Sequence, residues 1–214
     1  MKINSFYFVY QCYIIMLMFG GFMDKEKLYS FLVVDDVVKS INENLNDILK
    51  LIPELKNMIG FEHKHPHHHL DVWNHTLLAL SYSPNDFDIR LVLLLHDIGK
   101  PFCYQEGEVR HYKGHANVSA NMSFFILERL GFDYEYISKI CYLIKMHDTY
   151  IRDEEINNDI NLSFLRFKIQ YCDALAHHPL KLEKRIKYLL YINDKINEND
   201  ERNEYIKKIT RFVI

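Results

Sequence analysis

Six side chains of the types that hold metal ions stand out, and they come from well-separated stretches: His75, the pair His96-Asp97, His115, His147 and Asp173. Imidazole nitrogens mixed with carboxylate oxygens suit Mn, Fe, Ni, Co or Zn, with Mg also admitted, and a carboxylate can join two ions. The sharpest signal is RLVLLLHDIGKP, Arg90 to Pro101, where five aliphatic residues run directly into His96 and Asp97. That stretch reads as buried on all sides. Burying an unpaired carboxylate costs roughly several kcal/mol even after relaxation. Either a hydrogen-bonded partner or a cation has to compensate it.

Helical spacing turns all six groups inward. His75 shares a face with Val72, Leu78 and Ala79 on a helix DVWNHTLLALSY that Asp71 caps and that stops before Pro84. The helix delivering His96-Asp97 begins at Asp86 or Asp88 and ends at Gly99-Lys100-Pro101. His115 opens a helix ANVSANMSFFILERLG, with an inward face expected through Val118, Met122 and Phe125 and a stop at Gly131. His147 follows Ile140 and Ile144 by seven and three residues, and Asp173 lies between Cys172 and Ala174 in a helix that ends at Pro179. One inward histidine is usually an ordinary hydrogen-bonded core residue. Six inward groups on different elements are better explained by a metal site between helices, with the rigid aliphatic helix fixing its geometry.

The surrounding chain fits an all-α single domain. Glycine and proline are scarce, 7 and 5 in 214 residues, which argues against a many-turned β-sandwich. Apolar residues recur at helical spacing from Asp24 to Ile59, until Gly60. FCYQEGEVRHYKG suggests a small hairpin about Gly107, RDEEINNDIN reads as polar loop, and LKLEKRIKYLLYINDKI as a last long helix. The expected division is 1–22 apolar segment, 23–60 N-terminal helical segment, 61–179 core and 180–214 C-terminal helix packing on the core. Residues 1–22 read as a leader upstream of a start at Met23, with a membrane anchor as the alternative. Four cysteines without a C-x-x-C pair fit a reduced, cytoplasmic protein. A net charge of −3 gives no global field to attract nucleic acid.

The histidine-rich loop HKHPHHH, 63 to 69, reads as a solvated rim whose His67, His68 and His69 lie near the His75 helix and could touch substrate. His177 and His178 close a helix before Pro179, where the helix dipole is explanation enough. His111 stands at the same junction as His115 and is its alternative as a ligand.

In order, DVWNHT, HDIGKP, HYKGH and DALAHHP resemble the H…HD…D segments of HD-domain metal-dependent phosphohydrolases, and within them the HD region of CCA-adding tRNA nucleotidyltransferases. The resemblance covers roughly residues 61 to 179. It implies a helical HD bundle with one or two divalent ions per chain. His75, His96, Asp97 and Asp173 would be the core ligands, and His115 and His147 match positions that bind a second ion. Asp97 would position the ions, and Lys100 would face substrate phosphate. Arg110, His111 and Lys113 in the following loop are further substrate-binding candidates. The implied activity is hydrolysis of a phosphomonoester or phosphodiester of a nucleotide or similar small molecule, with an RNA end less favoured. A di-iron oxygenase and a metal-binding nucleotide sensor without turnover are the rival readings. Residues 1–60 carry no Gly-Ser and Asp-x-Asp pattern and are too short for a nucleotidyltransferase domain, so CCA addition is not expected.

Overall fold

The computed structural model describes residues 23–199. The expectations for 1–22, leader or anchor, and for the chain beyond 199 lie outside the described residues. Ten helices and two 3-10 segments follow one another among those described: α1 (23–32), α2 (Val37–Glu43), α3 (Leu45–Leu51), a 3-10 turn (Pro53–Met58), α4 (Val72–Ser81), α5 (Phe87–Leu95), a short 3-10 turn (Lys100–Phe102), α6 (His115–Arg129), α7 (Tyr134–Lys145), α8 (Asp153–Asn158), α9 (Ile160–Leu175) and α10 (Pro179–Asn199). The protein is all-α, as the spacing and the scarcity of turn residues predict. Pairing between extended segments is confined, among the described residues, to two isolated bridges, Glu62 with Asp71 and Gln105 with His111. The expected hairpin about Gly107 is thus a turn closed by one bridge.

Local chemistry sets the boundaries. Asp71 Oδ1 accepts from the Asn74 amide at 2.6 Å and starts α4, while Asp86 Oδ1 accepts from Ile89 at 3.1 Å and starts α5. The run from 24 to 59 breaks into short helices because Asp36 caps a new one through Lys39 and Pro53 cannot continue the last. RDEEINNDIN, expected as loop, forms α8. Asp153, Glu154 and Glu155 complement its N-terminal dipole, Glu155 reaches back to the Arg152 amide at 2.9 Å, and Ile156 is buried.

At the centre lies α5, with every residue from Ile89 to Leu95 buried. It packs against α4, α7 and α9, α6 lies on α7, and α10 lies along α9. Each fully buried leucine of α5 contributes about 1.5–3 kcal/mol. A second cluster, built from Phe167, Tyr171, Ile186, Leu189 and Ile192, fastens α10 to α9. On α6 the expected inward face is rotated by one position. Ala116, Ser119, Ala120 and Ser123 face in, and Phe125 is 65% exposed. Small residues are needed there because the turn after α5 comes very close: a Cβ on Gly99 would sit 2.6 Å from the Ser119 amide nitrogen. Gly99 N–H donates to Ser119 Oγ at 2.9 Å, which clamps the turn carrying His96 and Asp97 onto α6. Among the described residues no helix is long and apolar enough to cross a membrane.

Candidate metal centre

Five elements deliver the six groups to one buried place. Asp97, 1% exposed, lies in the turn just past α5 and turns its two oxygens in different directions. Oδ2 lies 3.3 Å from His96 Nε2 and 3.8 Å from His75 Nε2. Asp173 Oδ1, from α9, completes that side at 2.9 Å from His75 Nε2 and 3.5 Å from His96 Nε2. The Asp97 Oδ1 atom faces the opposite pair, 3.4 Å from His115 Nε2 and 3.9 Å from His147 Nε2. Asp148, half-exposed and not singled out from the sequence, stands 3.9 Å from His115 on that side. Two donor groups therefore flank one carboxylate: His75, His96 and Asp173, and His115, His147 and Asp148.

The second nitrogen of each ring decides what the first can do. Nδ1 of His75, His96, His115 and His147 faces the backbone carbonyl of Ala176, Leu93, Tyr112 and Ile144 at 3.2, 2.6, 3.0 and 2.7 Å respectively. A carbonyl oxygen only accepts, so each Nδ1 carries the proton and each Nε2 presents a lone pair to the cluster. Without a proton or cation between them those lone pairs repel: His115 and His147 Nε2 are 3.2 Å apart, and His75 Nε2 is 2.9 Å from a carboxylate oxygen. Ligands at about 2.0–2.1 Å on one ion stand about 2.8–3.4 Å apart across angles of 90–109°. The His75–Asp173, His96–Asp97, His115–Asp97 and His115–His147 separations of 2.9, 3.3, 3.4 and 3.2 Å fall in that range, and the other pairs are wider, at 3.5–3.9 Å. His96 Nε2 and both Asp97 oxygens also lack a hydrogen bond of good geometry although buried. The donor set, the tautomers and the unsatisfied atoms fit a divalent ion on either side of Asp97.

Lys100 enters the same cluster. It is 5% exposed, with Nζ 2.7 Å from Asp97 Oδ2 as an ion contact and 3.0 Å from His63 Nε2. His63 was not distinguished within HKHPHHH by any local signal. Its Nδ1–H donates to the Leu70 carbonyl at 2.8 Å, and its ring stacks on His68 at 3.7 Å. His177 belongs here too, its ring 5.3 Å from His75 and 4.7 Å from His68, so the helix dipole is not the whole account of it. Part of the histidine-rich loop is thus the inner wall of the centre rather than a solvated rim. His67 lines the adjoining cavity, whereas His69 is exposed and its ring meets His178 at 5.6 Å.

The loop after Lys100 behaves differently from the expectation. Arg110 donates to Glu106 at 2.9 Å and to the Glu62 carbonyl at 2.7 Å, and lies over Phe61 and Tyr104. Its guanidinium is committed to latching this loop onto 61–64. His111 is exposed, its ring 6.1 Å from His65, so His115 and not His111 joins the cluster. Lys113 is exposed.

The HD domain model matches residues 67–190, more than half of the chain. The chain belongs to the HD domain family. A curated relative, the CC-adding tRNA nucleotidyltransferase of Thermus thermophilus, is 33% identical over 104 residues, 45% of this chain and 24% of the relative. The chain thus spans about a quarter of that protein, its HD region alone. HD membership places the chain in the metal-dependent phosphohydrolase superfamily.

Electrostatics in the metal-free HD centre follow from burial set against opposite charge. Burial pushes the Asp97 carboxyl up, but His96, Lys100 and His115 outweigh it and hold it well below the usual carboxylate range. Asp173 is held low in the same way, by His177, His75 and His96 against burial. Burial pushes His96 down, yet Asp97 and Asp173 raise it to about 10. His147 is lowered to about 4 by burial, with His96 and His115 adding to it, and His63 to about 2 by burial and the Lys100 ammonium. Groups pushed this far apart within one buried cluster are the pattern of a candidate functional site.

Proposed function

We propose that this HD protein is a hydrolase of small phosphoesters, taking a phosphomonoester or phosphodiester of a nucleotide or similar molecule. The observation that carries the reading is the convergence of four Nε2 lone pairs, their Nδ1 atoms tied to carbonyls, around the two oxygens of Asp97. His75, His96, Asp173 and Asp97 Oδ2 would hold one ion, and His115, His147 and Asp97 Oδ1, with Asp148 beside them, a second. A divalent ion there supplies a water acidified to near neutral pH and a Lewis acid for a phosphoryl oxygen.

The chain's own residues do the rest. Asp97, gripped by the Gly99–Ser119 clamp, keeps its oxygens aimed at the two groups without reorganisation. Lys100 places a positive charge on the inner side of Asp97, where it offsets charge developing on the phosphoryl oxygens. His63 accepts from that ammonium and orients it. The aliphatic wall of α5 keeps bulk water from the back of the cluster, which strengthens each of these charges.

The test is hydrolysis of bis-p-nitrophenyl phosphate and p-nitrophenyl phosphate by chain purified without a histidine tag, with and without chelator, beside Asp97→Ala. Turnover that needs added Mn, Fe, Co, Ni, Zn or Mg and is lost in the variant supports the reading. Metal binding without turnover on either ester contradicts it.

A further inference from the structure

A cavity of about 350 Å3 opens from the metal centre. Asp173, Asp148 and His177 line its inner end, and its far wall is formed by Tyr150, Lys184 and Arg185, none of which has a part in metal binding. We propose that this cavity takes a nucleotide carrying a second phosphate besides the one hydrolysed, with Tyr150 stacking on the base and Arg185, aided by Lys184, binding the second phosphate. The inference rests on the phosphohydrolase reading and narrows its substrate.

Three observations converge on that wall. The first is the charge. Arg185 is half-buried, its guanidinium 5.7 Å from the Tyr150 ring and 5.5 Å from Tyr188, and it donates to Gln170 Oε1 at 3.2 Å. Among the described residues no carboxylate forms an ion pair with Arg185 or Lys184, whereas Lys187 on the same helix is paired with Glu183 at 2.6 Å. The carboxylates lining the cavity, Asp148 and Asp173, belong to the metal end, so the two cations that form no ion pair suit an anionic ligand, and the guanidinium fork matches phosphate geometry.

The second is a rigidly held exposed ring. Tyr150 is 55% exposed, and its loop is fixed from beneath. Gln170 Nε2 donates to the Thr149 carbonyl at 2.6 Å and to Met146 at 3.2 Å, and the buried Arg166 donates to Thr149 at 3.0 Å. The Ile151 amide donates to the Tyr188 hydroxyl. The ring itself meets Tyr188 edge to face at 4.5 Å, and a half-exposed ring on a fixed backbone prepares a stacking platform with part of the ordering cost already met.

The third is spacing. Gln170, which holds Arg185, and Asp173, which faces the metal groups, are three residues apart on α9, just under one turn or about 4.5 Å along the axis. The cation held by Gln170 is therefore anchored close to one helical turn along α9 from the carboxylate that faces the metal groups. The cavity's size is at the lower end for ligand sites, room for a mononucleotide and not for a folded RNA.

The experiment compares adenosine 3′,5′-bisphosphate with p-nitrophenyl phosphate, which lacks a second anion and a base. The full chain, metal-loaded, is assayed beside Arg185→Gln, Tyr150→Leu and, as a control for charge on α10, Lys187→Gln. The ratio of kcat/KM for the bisphosphate to that for p-nitrophenyl phosphate is expected to fall about tenfold in Arg185→Gln and several-fold in Tyr150→Leu, and to stay within twofold in Lys187→Gln. A ratio within twofold in both Arg185→Gln and Tyr150→Leu, or an equal fall in Lys187→Gln, overturns the proposal. If the unmodified chain hydrolyses neither compound, the phosphohydrolase reading fails by itself. Calorimetric titration of the bisphosphate into chelator-treated chain then decides the subsite: binding lost in Arg185→Gln upholds it, and no binding by the unmodified chain ends it.

Discussion

Helix α5 buries charge near both ends, and the two ends treat it oppositely. Near its start Arg90, 3% exposed, donates to the Leu32 and Val34 carbonyls, Asn85 Oδ1 and Ser83 Oγ, so its guanidinium is well supplied with acceptors. Just past its end, His96 Nε2 and the two oxygens of Asp97 are equally buried and lack hydrogen bonds of good geometry. The Lys100 ammonium 2.7 Å from Asp97 Oδ2 compensates that atom in part, but among the described residues Oδ1 and His96 Nε2 have no such neighbour, and each orphaned buried polar atom costs about 1–3 kcal/mol. Arg90 pins the connection between α1 and α2 to the core. The His96-Asp97 end holds unspent bonding capacity that a cation can use, and a chain selected for stability alone would not keep it. Buried charge is thus no guide to function until its partners are counted.

The largest expected effect breaks the functional end. Asp97→Asn keeps the shape but removes the charge shared by both donor groups. Steady-state hydrolysis of p-nitrophenyl esters should fall about a thousandfold, since the ions contribute several kcal/mol to the transition state. At the structural end, Arg90→Met leaves two loop carbonyls without their donor. Thermal unfolding should show a loss of about 3 kcal/mol, roughly 6–12 °C in Tm, with metal content per folded chain unchanged. Equal loss of metal in both variants would erase the distinction.

A smaller effect is read from pH. In the metal-free chain His96 is raised from an ordinary 6.5 to about 10, so the folded state binds a proton that the unfolded state has released. That contribution is complete below pH 6.5 and is lost as pH rises to about 10. His147, lowered to about 4, works the other way: its contribution holds above 6.5 and is lost as pH falls toward 4. A bound ion replaces the proton on His96. The Tm difference between metal-loaded and chelator-treated chain should therefore widen from about pH 6.5 to about pH 9, measured by scanning calorimetry. The smallest effect sharpens the role of the elements: Asp71→Ala removes the α4 cap and should cost about 1 kcal/mol by denaturant unfolding, without loss of bound metal.

What could be read from the sequence was local. Asp71 and Asp86 cap their helices, Gly131 stops α6, and helical periodicity turns His75, His147 and Asp173 inward. The Asp173 helix, however, ends at Leu175, and Pro179 opens α10, as its fixed φ suits a first helical position. What could not was set by tertiary approach. Phe125 sits on the same broad stripe as Met122, and only the Gly99 contact shows that α6 must present its serines instead. Arg110 has a cation's usual ambiguity until Glu62 and Glu106 take it up. His63 and His68 reach the centre because the 61–71 loop folds back over α4, and the density of histidines beside the Asp71 cap was the one available signal. His177 reaches it from the turn just past α9, its Nδ1 on the Asp173 carbonyl at 2.9 Å. The acidic first turn of α8 was legible and was outweighed by its polar composition.

The most direct test is elemental analysis of the chain purified without a tag, beside Asp97→Asn and a His65→Gln/His69→Gln double variant that removes loop histidines outside the cluster. One or two transition or divalent ions per chain, kept in the double variant and lost in Asp97→Asn, is the predicted result. Ions that persist in Asp97→Asn, or none bound even after metal is supplied, would contradict a metal centre built on Asp97.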